Sequence, residues 1–333
     1  MTLFSGLPMN HHRSSSSPLV TVVMACYNSE RYLREAIDSV LGQTYGNLEL
    51  LVVDDCSTDS TVDIVQNYMK ADDRVRLIQR AARGGRPAVT KNSALEHIRG
   101  QFVCFLDHDD YYGPEKIEVL AGLLQENPDC VAAFHDIDLV DGSGVFLSRY
   151  LDGFPREAQD YLKAVSGGVY VCDDRFFNFQ SVHYAALHTI SVMIARERIS
   201  AGCLQFDTQF KVCDDTDLWI RLGLEGKMIY VDRPLASYRQ HSSNITRDLL
   251  GAQEDAILCL LSNFRRMQAN GRMADMAPLK ARIAHYYSDA GWAYRRKRES
   301  GKSLLAYLNA WRWSRAPRHL VHAAKAFLPP RES

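Results

Sequence analysis

From Leu19 to Leu106 short apolar runs alternate with segments of helical period. LVTVVMA (19–25), LELLVVD (48–54), VRLIQR (75–80) and QFVCFLD (101–107) are short and nearly continuous in their apolar character, so they read as buried strands. Between them, Glu30–Leu41 carries Leu33, Ile37, Val40 and Leu41 at helical spacing. Asp59–Met69 carries Val62, Ile64 and Val65, and a third helix passes through Ala94–Ile98. Buried strands alternating with covering helices define the α/β class, with a mostly parallel sheet covered by helices on both faces. Ligands of such sheets bind beyond the carboxyl ends of the strands.

After Asp110 the order changes. A helix over Pro114–Glu126 leads to the strand CVAAFHDIDLV (130–140) and a Gly-containing hairpin at Asp141–Gly144. TISVMIA (189–195) predicts another strand, Asp217–Leu224 a helix behind a cluster of capping residues, and MIYVDRPLASYRQH (228–241) short strands broken at Pro234. From about Ala252 the pattern is helical, punctuated at Gly271, Pro278, Gly301 and Pro317.

Three strand ends carry polar residues: Cys26-Tyr27-Asn28, Asp54-Asp55-Cys56-Ser57, and the Asp107–Asp110 cluster that closes VCFLDHDD. Carboxylates brought together at one sheet edge raise one another's pKa, and a divalent cation relieves the conflict. Carboxylate oxygens are what Mg²⁺ or Mn²⁺ takes. Loops and helix N-caps use Asp as well, but three polar strand ends converging on one crevice favour a binding site.

At 333 residues, 46% hydrophobic and 24% charged, the chain can bury a substantial core. A formal net charge of −1 gives no reason to expect nucleic acid as a partner. Eight cysteines without a CxxC pair read as free thiols of a reducing compartment, so a cytoplasmic location is expected. Asn244-Ile245-Thr246 matches a glycosylation sequon, which matters only in a secretory compartment. No apolar run approaches the length of a membrane span.

VTVVMACYNSERYLREAIDSVLGQTYGNLELLVVDDCSTDST resembles the opening of family 2 glycosyltransferases, inverting enzymes with the GT-A fold. FLDHDD stands where that family carries its metal-binding DxD motif. QFDTQFKVCDDTDLWIRL resembles the segment that supplies its catalytic base, and YRQHSSN its closing Tyr-Arg-x-His element. The match runs from Val20 to Asn244. It implies a nucleotide-sugar-binding half at 18–110 and an acceptor-binding half at 111–248; outside it, the composition of 1–17 reads as a disordered tail and the pattern of 249–333 as a helical extension.

The resemblance implies donor contacts at Ala25, Tyr27, Asn28, Asp55, Arg83, Lys91, Asn92, Asp107 and His108. Tyr27 is expected to stack on the base and Asp55 to accept from a uracil imide, while Asp54 is expected to be structural and Ser57, Thr58 and Asp59 to cap the following helix. GGRPAVTKNSAL departs from the family pattern, with Arg86 as an extra residue, so Arg83, Arg86 and Lys91 all stand as candidates for the diphosphate. The implied ligands of Mn²⁺ or Mg²⁺ are Asp107, Asp109 and His241. His108 is expected to turn to the other face. The implied base is Asp215, with Asp214 as the alternative.

A sugar nucleotidyltransferase would carry a Gly-rich basic loop after the first strand, where this chain has CYNSERY. A binder without turnover would have no need of the acidic pair. The implied partners are a nucleotide-sugar donor, uridine-based by Tyr27 and Asp55, and a glycan or lipid-linked saccharide acceptor. Residues 294–333 hold ten Lys or Arg and two Glu among Trp311, Trp313 and Phe327, a composition suited to peripheral contact with an anionic membrane.

Overall fold

The computed structural model describes residues 17–151, 161–173, 175–176, 186–241, 249–269, 271 and 276–328. Residues 1–16 of the expected tail, the sequon, and the Ser242–Asn244 end of the closing element lie outside them.

Among the described residues eleven strands form one sheet. Strands β1 (Val20–Cys26), β2 (Leu48–Asp54), β3 (Val75–Gln79) and β4 (Phe102–Asp107) are the four expected, and they pair in parallel in the order β3-β2-β1-β4. The crossovers carry α1 (Leu33–Leu41), α2 (Thr61–Ala71) and α3 (Pro87–Asn92). Helix α3 lies earlier than the sequence pattern suggests, because Pro87 sets the helical φ at its first position. The expected Ala94–Ile98 helix is only a 3₁₀ turn, Leu95–His97.

The second half comprises β5 (Tyr111–Tyr112), α4 (Lys116–Glu126), β6 (Cys130–Asp141), β7 (Phe146–Arg149), β8 (Leu162–Ser166), β9 (Val169–Cys172), β10 (Val192–Ala195), α5 (Asp214–Glu225) and β11 (Lys227–Gln240). The sheet continues β4-β10-β6-β11-β9-β8, with β10 antiparallel to both neighbours and β11 parallel to β6. Three expectations are corrected here. Where short strands broken at Pro234 were expected over 228–241, Lys227–Gln240 form one long strand, because register shifts on both sides of Pro234 absorb the missing N–H as bulges. Thr189–Ser191 form a 3₁₀ turn ahead of β10. Helix α5 begins at Asp214, which puts the acidic pair in its first turn.

The strand alternation splits the core in two. Val20, Val22 and Met24 of β1 face one layer with α1 and α4; Val23, Val103 and Phe105 face the other with Leu218, Trp219 and Leu222 of α5. The C-terminal helices α6 (Leu249–Ala269), α7 (Met276–Arg296), α8 (Ser300–Ser314) and α9 (Pro317–Ala324) follow. A third core, with Phe210, Ile220, Cys259, Leu260 and Ile283, binds α6 and α7 to α5. All eight cysteines are free thiols, and no described helix is long and apolar enough to cross a membrane.

Candidate active site

After β3 the chain returns past β2 and β1 to lay β4 on the far side of β1, so the strand order reverses between β1 and β4. That reversal opens a crevice at the strands' carboxyl ends. Ala25 and Asp107 are register partners across it, and Cys26 pairs with Asp54. A cleft of about 420 Å³ occupies this place, lined by every candidate residue from the sequence except Asn92.

The loops after β1 and β2 are stitched together. Asn28, left-handed at φ 48°, accepts the Thr58 N–H on its side-chain oxygen (2.9 Å), and its own N–H donates to the Ser57 hydroxyl (2.9 Å). Asp59 accepts from the Thr61 N–H and hydroxyl, holding the start of α2, while Asp54 accepts from Ser57 N–H. Asp55 is buried. Its two oxygens accept the N–H groups of Gly84 (2.7 Å) and Gly85 (3.0 Å), and Arg80 Nε lies 2.8 Å away. A carboxylate thus shapes the glycine turn that forms one wall. A Cβ at Gly84 would stand 2.7 Å from Val89 Cγ1, so any larger residue there would force the Val89 side chain to move.

The three cations expected near the donor have separate positions. The Arg83 guanidinium lies 3.9 Å from the centroid of the Tyr27 ring, over one of its two faces. Arg86 lines the cleft but donates to the carbonyls of Thr208 (2.7 Å) and Gln209 (3.1 Å). Lys91 is buried 3.6 Å from Asp214. Burial pulls the Lys91 pKa down, but Asp214, Asp107 and Asp215 outweigh it and push the pKa up to about 12, so this lysine is a fixed positive charge. Asn92 does not reach the cleft, because both ends of its amide bond the Phe206 backbone, at 2.8 and 2.9 Å.

Strand β4 stops at Asp107, so strand alternation does not extend through the next residues. His108 therefore lines the cleft with Asp107 and Asp109 instead of turning away, its Nδ1 3.3 Å from the Ala25 carbonyl. Asp109 Oδ2 meets His241 Nε2 at 2.9 Å, and Tyr32 stacks on that imidazole with centroids 5.3 Å apart. Asp110 is buried beneath, accepting the Arg239 N–H at 2.8 Å, a structural role. Among the described residues no three His, Cys, Asp or Glu side chains gather closely enough to hold a metal unaided. Two carboxylates and an imidazole at one rim nonetheless fit Mn²⁺ or Mg²⁺ if a diphosphate supplies the remaining oxygens.

The acids of α5 line the same cleft. The positive end of the helix dipole favours carboxylates in this first turn. Asp214 is buried, and desolvation raises its pKa although Lys91 opposes the shift. Asp215 is more open to the cleft. It accepts the Thr189 hydroxyl on Oδ2 (2.8 Å) and the Thr216 N–H on Oδ1 (2.6 Å). Sequence reasoning missed several lining residues, among them His188, Thr189, Lys211 and Tyr238. His188 packs edge-on against Tyr238 with centroids 4.7 Å apart, and burial lowers its pKa, so it faces the cleft as a neutral imidazole. Lys211 and Tyr238 lie inside the two later motif segments, where no role was expected of either; His188 and Thr189 sit in no motif, and Thr189 was legible only as part of an apolar run.

A mixed sheet with this strand order, a crevice at β1 and β4 and helices packed behind it is the GT-A glycosyltransferase architecture. A crystal structure of a TarS fragment from S. aureus aligns with TM-score 0.64 at 18% identity, covering 92% of this chain and 87% of that one. The mannosyltransferase PcManGT from Pyrobaculum calidifontis, solved with GDP-Man and Mn²⁺, aligns with TM-score 0.52 at 19% identity over 96% of this chain and 89% of its own. In sequence, the family model "Glycosyl transferase family 2" matches residues 21–183. TuaG of Bacillus subtilis (strain 168), named for teichuronic acid biosynthesis, is 30% identical over 230 residues, 69% of this chain and 82% of TuaG. The chain belongs to glycosyltransferase family 2.

Proposed function

We propose that the cleft transfers a hexosyl or N-acetylhexosaminyl unit from a uridine-diphosphate sugar to a hydroxyl of a glycan or lipid-linked saccharide, in polysaccharide biosynthesis, with inversion at the anomeric carbon. The observation that carries this reading is that one cleft is lined both by Asp107, Asp109 and His241 and by Asp214 and Asp215. One rim is suited to a diphosphate and its cation, the other to a proton acceptor. Tyr27 offers a flat face for a base, and the TarS fragment is also solved with UDP-GlcNAc (TM-score 0.58, 17% identity), which favours uridine over the guanosine held by PcManGT.

Asp215 takes the proton of the acceptor hydroxyl while that oxygen bonds to the anomeric carbon. The bond from that carbon to the diphosphate oxygen breaks, and its electron pair leaves with the nucleoside diphosphate. Lys91, charged at all working pH, supplies fixed positive potential to the cleft. Asp107, Asp109 and His241 would hold Mn²⁺ or Mg²⁺, which when bound neutralises charge on the diphosphate as a Lewis acid. A binder without turnover is the competing reading, and the hydrogen-bonded Asp215 favours the enzyme. The basic 294–333 segment is assigned to peripheral contact with the inner face of the cytoplasmic membrane, where a lipid-linked acceptor resides.

The test is a thermal-shift panel of nucleoside diphosphates and nucleotide sugars with Mn²⁺, Mg²⁺ or chelator. Ligand bound only by the native state at 100 times its Kd stabilises by about 2.7 kcal/mol. A metal-dependent shift with uridine nucleotides, lost in Asp109→Ala, is expected; no shift with any nucleotide would overturn the reading.

A further inference from the structure

Segment 206–213 runs into the first turn of α5 without a strand or α-helix of its own. It is nonetheless tied at three points. Asn92 exchanges two hydrogen bonds with the Phe206 backbone, and Arg86 donates to the Thr208 and Gln209 carbonyls. At the far end one carboxylate oxygen of Asp255, buried on α6, accepts the N–H groups of both Lys211 and Val212, the latter at 2.8 Å. Phe210, fully buried, anchors the middle of the segment in the core shared by α5, α6 and α7.

These ties join separate parts of the molecule. Arg86 and Asn92 bracket α3, whose Lys91 pairs with Asp214, so the donor-side helix and the acidic pair are held through one segment. Asp255 comes from the C-terminal helices. A buried carboxylate committed to backbone N–H groups forms strong, charge-assisted bonds and is costly to bury for any lesser return. We infer that segment 206–213 is a strap that fixes Asp214 and Asp215 against the donor side of the cleft, with Arg86 and Asp255 as positioning residues for the transfer step. This rests on the reading of Asp215 as base. The C-terminal helices thereby become part of the catalytic apparatus, and Arg86, an extra residue by the family pattern, becomes a strap anchor.

The experiment combines hydrogen exchange over 206–217 with turnover of the UDP-sugar that the wild type accepts, plus UDP affinity, in the full chain. Arg86→Met and Asp255→Ala should accelerate exchange and lower kcat about 10–100-fold, as sub-ångström to ångström misplacement does, while UDP affinity in Asp255→Ala stays within about threefold. Asp255→Asn, whose amide oxygen still accepts, should restore most of kcat. Wild-type kcat in both loosened variants, or unchanged exchange, would overturn the strap. Arg86 lies at the surface end of the ties, so its variant carries the test if Asp255→Ala does not fold. Asp215→Asn assayed alongside separates the two ideas: full turnover there discards the base assignment whatever the strap variants do.

Discussion

Lys116 is fully buried, its ammonium 3.5 Å from the Tyr112 ring centroid and beside the Cys104 thiol, with no carboxylate paired to it among the described residues. Burial lowers its pKa from 10.5 to about 8. The folded state therefore gives up this proton before the unfolded chain does, so stability rises with pH between about 8 and 10.5 and the penalty is full below 8. A shift of that size corresponds to about 3 kcal/mol, and loss of the cation–π contact returns part of it. Lys116→Met should accordingly stabilise the protein at pH 7 by about 1–2 kcal/mol and flatten the rise, as read by urea melts at pH 7 and 10. Equal stability of the two proteins at pH 7 would contradict this. Nothing in the sequence marks Lys116, since a lysine in a first helical turn is ordinarily solvated. Asp107 and Asp109 were legible for the opposite reason, since they close a strand whose apolar pattern is unmistakable, whereas Asp215 was singled out only through the resemblance of its segment.

At the scale of elements, the turn over residues 83–86 sets one wall of the cleft. Gly85 sits at φ 68°, and its N–H and that of Gly84 both donate to the Asp55 carboxylate. A side chain in that conformation costs about 1–2 kcal/mol, so Gly85→Ala should weaken UDP binding about tenfold without a comparable loss of kcat at saturation. Isothermal titration measures it, and unchanged affinity would mean that the turn does not touch the donor. Strands β1 to β4 could be read from the chain because each is an apolar run bounded by polar residues. The strap could not, because its order comes from Asn92, Arg86 and Asp255, each distant in sequence. Pro234 misled for a related reason: a proline forbids a ladder bond, but β11 accommodates it by bulges that only the partner strands reveal.

Across the whole molecule the charge is segregated. Residues 294–333 hold ten Lys or Arg against two Glu, whereas the other 293 residues hold 29 against 38. In the same helical region Trp292, Leu305, Val321, Phe327 and Leu328 are each more than half exposed. Basic residues near an anionic bilayer contribute about 1 kcal/mol each, screened by salt. The full chain should therefore float with phosphatidylglycerol vesicles at low salt, less with phosphatidylcholine, and less again at high salt. Indifference to lipid charge would discard the membrane contact. The sequence showed this asymmetry but not the packing of α6 and α7 on α5, which makes the extension more than an appendage.

The central claim is that Asp215 acts as base on a nucleotide sugar held at the Asp107–Asp109–His241 rim. Its most direct measurement is metal-dependent release of UDP from UDP-sugars by wild type and Asp215→Asn, with UDP affinity determined in parallel. Turnover is expected in the wild type, with a loss of about 10²–10⁴ in the variant and equal UDP affinity in both. Undiminished release by Asp215→Asn, with UDP bound as tightly as in the wild type, would contradict it.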